Sequence, residues 1–118
     1  MRAGALLRLF LKTAPKNGGK WSIIMIKHIV MWKLDEACDK KAAAAEIKAA
    51  LEGLNGQIPG MIMARVTPAY KGTYDLVLET EFETEADQDA YQVNPLHLAC
   101  KKIVHTYAVE RGFADFEV

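Results

Sequence analysis

From Ile26 to Leu34 (IKHIVMWKL) the side chains alternate with period two and are rich in β-branched and aromatic types, which predicts a strand. Ile26, His28, Val30, Trp32 and Leu34 share one face, and Ile29 and Met31 lie on the other. Apolar residues on both faces mark a central strand, covered by helices on one side and by something else on the other. Between Asp39 and Leu54 the period becomes helical, with Ala43, Ile47, Ala50, Leu51 and Leu54 recurring on one stripe and acids gathered at or before the start. Gly53, Asn55 and Gly56 end that helix, and Ile58-Pro59-Gly60 turns the chain into the next extended segment.

Met61–Ala69 reads as a second strand whose far end Pro68 directs to a sheet edge or loop. In the third, Tyr74–Phe82, Leu76, Leu78, Thr80 and Phe82 alternate with Asp75, Val77, Glu79 and Glu81, so one face meets a core and the other carries acids. Thr84 with Asp87 three positions on starts a helix that runs to about Val93, where Asn94-Pro95 interrupts it and begins a second helical piece. Ala108–Val118 closes the unit as a strand, with Val109, Arg111, Phe113 and Asp115 on one face. The order β-α-β-β-α-β predicts an α+β fold, a ferredoxin-like four-stranded antiparallel sheet with helices on one face. Its other face is then solvated or covered by a partner. The mixed face of Ile26, His28, Val30 and Trp32 is assigned to that cover, two sheets meeting in a dimeric α/β barrel with a part-polar interior.

Composition narrows the reading. The 118 residues are 51% apolar, with Lys+Arg 15 against Asp+Glu 15, as in an ordinary single domain. The balance conceals an asymmetry: residues 1–24 carry +5 and residues 25–118 carry −5. The chain divides accordingly into a basic N-terminal extension, 1–24, and a domain, 25–118. Leu6, Leu7, Leu9, Phe10 and Leu11 among Arg2 and Arg8 suit a short amphipathic helix or an organelle transit segment. The favoured reading is an extension joined by a Lys16–Lys20 linker ahead of a natural start at Met25. An acidic domain without a basic stripe argues against nucleic acid as a partner. The lack of an apolar run of roughly 18–20 residues argues against a membrane span. Cys38 and Cys100 stand apart with no paired-cysteine motif, so neither a disulfide framework nor a zinc site is signalled, and the cytoplasm is the default compartment. A core this small is often completed by a second copy, so a homodimer is expected.

Few residues have chemistry to offer. Asn94 is a good N-cap and Pro95 fits the first helical position, which puts His97 in the first turn, where the dipole favours neutral imidazole. His97 is therefore the leading candidate base, against the plainer role of packing or bonding backbone at the helix junction. Tyr91, six positions earlier, is placed to orient a substrate oxygen through its hydroxyl. Mid-strand His28 needs partners if buried, with Glu79 or Asp75 as candidates, and Trp32 lies beside it on the same face. His28, Trp32, Asp75 and Glu79 thus form the candidate small-molecule pocket, for a hydrophobic or phenolic ligand. No tight His/Asp/Glu spacing supports a metal, and no cofactor is expected.

Ile26–Leu34, the Gly56-Gln57-Ile58-Pro59-Gly60 turn, Phe82 ahead of acidic helix residues, and Tyr91-Gln92-Val93-Asn94-Pro95-Leu96-His97 together resemble a stress-responsive A/B barrel (Dabb) domain over about residues 25–118. The resemblance implies a small homodimeric barrel of undefined biochemical role. It also implies an alternative: in the plant polyketide cyclase branch a Tyr and a His of this helix-kink segment, matching Tyr91 and His97, act with a first-strand His matching His28. There the His removes a proton from a poly-β-keto thioester and an aldol-type condensation follows without cofactor. The chain departs from that branch at Asn94, often His in the family, and at Asp75, which aligns with another cavity His. A heme-free monooxygenase is a third reading, resting on fold analogy alone.

Overall fold

In the computed structural model, residues 24–118 are described, and the expectations for the basic leading segment lie outside them. β1 (Ile26–Leu34), α1 (Lys40–Glu52), β2 (Met61–Pro68), β3 (Leu76–Phe82), α2 (Glu85–Gln92), α3 (Pro95–Tyr107) and β4 (Ala108–Glu117) follow in chain order. The strands form one four-stranded sheet in the order β2-β3-β1-β4, and every neighbouring pair is antiparallel. This is the ferredoxin-like α+β plan that the alternation predicts.

Local chemistry sets the helix starts. The Asp39 carboxylate accepts from the Ala42 N–H at 3.1 Å, Thr84 Oγ1 from the Asp87 N–H at 3.1 Å, and Asn94 Oδ1 from the Leu96 N–H at 2.9 Å, each relieving an orphan donor of the first turn. Pro95 occupies the first turn of α3, where its missing N–H costs nothing. At Gly60 the backbone takes φ +76°, and a Cβ there would lie 2.1 Å from the Asp87 side chain, which accepts from the hydroxyl of the capping Thr84 at 2.8 Å, so only glycine fits both demands.

Ala43, Ile47 and Leu51 of α1 and Cys100 and Val104 of α3 pack on Val30, Trp32 and Leu34 of β1 and Leu76, Leu78 and Phe82 of β3. Burial of each large apolar side chain contributes roughly 1.5–3 kcal/mol. One expectation is corrected here. The face of His28, Val30 and Trp32 is turned to the helices of its own chain, not to a facing sheet, because period-two alternation divides the residues between two faces without saying which one the helices cover. The opposite face carries Lys27, Ile29 and Met31 of β1, opposite Glu81, Glu79 and Val77 of β3.

Candidate functional site

A cleft-like cavity of about 410 Å³ lies between the sheet and the helices. Val30, Trp32, Leu51, Leu78 and Val104 give it an apolar floor, and His28, Gln92, His97, Lys101, His105 and Arg111 supply its polar wall. The volume falls within the roughly 300–1,000 Å³ usual for small-molecule sites.

His97 enters this wall through the junction between α2 and α3. The last carbonyls of a helix lack intrahelical donors, and Tyr91 O, near the end of α2, accepts from both the Asn94 N–H at 3.2 Å and His97 Nδ1 at 3.0 Å. A carbonyl only accepts, so Nδ1 carries the proton and Nε2 holds the free lone pair. His97 is 6% exposed. Burial lowers its pKa to about 4, with Lys101, His28 and Arg111 adding to the effect and the Tyr91 carbonyl opposing it. The imidazole is therefore neutral at physiological pH.

Tyr91 holds that ring in place. Its own ring stacks on His97, with centroids 3.8 Å apart and planes 13° from parallel, and is backed by Phe82 at 5.0 Å. The Tyr91 hydroxyl is buried without a hydrogen-bond partner, and burial pushes its pKa upward. Tyr91 does not line the cavity, so it meets His97 through its carbonyl and its ring, and its hydroxyl is not the group expected to orient a substrate oxygen.

His28, 3% exposed, is hydrogen-bonded through Nδ1 to the carboxylate of Asp115, directly opposite it on β4. The Gln88 amide approaches the same nitrogen at 3.4 Å. The carboxylate oxygen is the acceptor of this pair and Nδ1 of His28 the donor.

The expected partners of His28 lie elsewhere. Asp75 precedes β3 and accepts from the Leu34 N–H at 2.8 Å, with Lys40 at 3.4 Å. It lines a separate depression with Lys40, Lys41 and Lys48. Glu79 is on the open face, where Arg65 donates to it from Nη2 at 2.8 Å and Lys27 lies at 3.5 Å. The hydrogen bond from Arg65 holds the Glu79 carboxyl below the usual range. Strand parity explains the miss, since Glu79 faces opposite to Thr80, the β3 residue level with His28. The structure thus brings His28, Trp32 and His97 of the candidate residues to one cavity, with Tyr91 behind His97, and leaves Asp75 and Glu79 out.

Sequence reasoning missed Lys101, Arg111 and Asp115. A signal existed for the first: His97, Lys101 and His105 recur every fourth residue and so share one face of α3. Alternation puts Arg111 and Asp115 on one face of the last strand, but their neighbours depend on the β1–β4 register.

A ferredoxin-like α+β domain with two buried imidazoles facing a cavity between sheet and helices is the class that this geometry defines. The profile of the Stress Responsive A/B Barrel Domain (Dabb) family matches residues 26–118. The chain belongs to that family. Among solved structures, a dimeric ferredoxin-like protein of unknown function from Bacteroides fragilis is 28% identical, with TM-score 0.74 over 80% of this chain and 96% of its own. A dimeric ferredoxin-like protein of unknown function from Thermobifida fusca is 21% identical, with TM-score 0.72 over 80% and 92%. A hydroxynitrile lyase from Passiflora edulis is 15% identical, with TM-score 0.71 over 82% and 95%, a likeness of fold alone. No curated protein matches the chain.

Proposed function

We propose that this Dabb-domain protein is a homodimer, each subunit of which takes up a small, largely apolar organic molecule between its sheet and its helices. The observation that carries the reading is the cavity of about 410 Å³, with an apolar floor and with both buried histidines in its wall. The dimeric state of similar folds supports a pairing through the open sheet face. The test is a thermal-shift screen of the purified full chain, its dimer mass checked by light scattering, against phenols, β-diketones and short acyl thioesters. At least one class is expected to raise Tm by several degrees, and the rise should be lost in His97→Ala. No shift across the panel from a stable dimer overturns the reading.

A second reading, a cofactor-independent enzyme similar to the polyketide cyclases, is favoured by the fixed tautomer of His97. A carbon acid in the cavity would pass its proton to Nε2, leaving an enolate and an imidazolium, and the enolate would attack a second carbonyl of the same molecule. Tyr91 would act as a positioning residue through its carbonyl and stacked ring.

A further inference from the structure

The cavity sits in a domain whose formal charge over residues 25–118 is −5, yet no acidic side chain is in its wall. Instead the wall contains Lys101 and Arg111, together with His105. Neither cation is neutralised by a carboxylate among the described residues: the Lys101 ammonium donates to the Gln92 carbonyl at 3.4 Å, and the Arg111 guanidinium lies 4.8 Å from the Phe113 ring centroid. The nearby acid on β4, Asp115, is already bonded to His28. Two uncompensated cations in a concave, partly apolar site focus a positive potential where the surrounding domain is negative.

On the strength of the cavity reading above, we propose that its ligand is an amphiphilic carboxylate, whose apolar body lies on Trp32, Val30 and Leu78 and whose carboxylate is received by Arg111 and Lys101. Arg111 offers the planar donor fork that matches a carboxylate, and Lys101 adds a point charge one helical turn beyond His97. The order of the wall follows from this: charge recognition falls to side chains on α3 and β4, and the neutral His97 imidazole is left to face the body of the ligand.

Trp32 provides a reporter that does not depend on charge. In the full-length chain carrying Trp21→Phe, Trp32 is the only tryptophan, and its indole N–H gives one resonance in an ¹⁵N-correlated spectrum. The probes are 2-naphthoate and its uncharged isostere 2-naphthamide. The expected result is that both shift the Trp32 signal, that naphthoate binds at least tenfold tighter at low salt, and that Arg111→Gln or Lys101→Gln erases most of that preference without weakening naphthamide. Equal binding of the two probes, or a preference untouched by either substitution, overturns the carboxylate assignment while leaving the cavity reading in place. Failure of both probes to move the Trp32 signal overturns both.

Discussion

On the open face of the sheet, Glu79 and Glu81 of β3 lie within 3.5 Å of Lys27, and Arg65 closes on Glu79 from β2, so every one of these charges has an opposite at hand. One residue along the same strands, the helix-covered face carries His28 and Thr80, and there a buried histidine is held by the Asp115 carboxylate and a second, His97, is kept uncharged. The same backbone thus supports two kinds of electrostatics, and the difference comes from solvent. Half-buried pairs that still touch water keep their charges and screen one another, whereas a group taken fully out of water either finds a partner or gives up its charge.

The comparison can be broken first at its apolar side. Phe82→Ala removes a fully buried ring that also backs Tyr91, and is expected to destabilise the fold by about 4 kcal/mol, read as a lower midpoint in urea. Next comes pH. Because the native pKa of His97 is about 4 against an ordinary 6.5, the unfolded chain takes up its proton first as pH falls, and stability drains away between about pH 6.5 and 4. The full loss is roughly 3 kcal/mol, and His97→Gln should flatten that part of the profile. An unchanged slope in the variant would show that other groups control acid unfolding. The smallest effect belongs to the open face, where Glu79→Gln should cost the isolated subunit less than about 1 kcal/mol. Denaturation at two protein concentrations sharpens this test, since a penalty that grows with concentration puts the Arg65–Glu79 pair inside a subunit contact.

Much of the fold was legible because its signals are local. Thr84 with Asp87, and Asn94 with Pro95, announce two helix starts that the hydrogen bonds then display, and alternation alone separates Leu76, Leu78 and Phe82 from Glu79 and Glu81. The site was legible only where it is local as well. His97 and Tyr91 are six residues apart, and the helix junction brings them together. Asp115 lies 87 residues from His28, and only the register of β4 against β1 makes them partners. Asp75 and Glu79 are candidate partners of His28 from across the sheet, and parity and a backbone hydrogen bond take them elsewhere.

That last strand pairing has an engineering consequence. The Met25 N–H donates to the Val118 carbonyl at 3.3 Å and the Val118 N–H to the Met25 carbonyl at 2.9 Å, so residues 25 and 118 lie side by side on the sheet. With residues 1–24 removed, a short glycine linker can join them, and the exposed turn at Lys71-Gly72-Thr73 offers a place to reopen the backbone. In the resulting circular permutant, Arg111, Asp115 and His28 become one contiguous hairpin, and a contact that spans nearly the whole domain turns into a local one that can be built, shuffled or grafted as a single cassette.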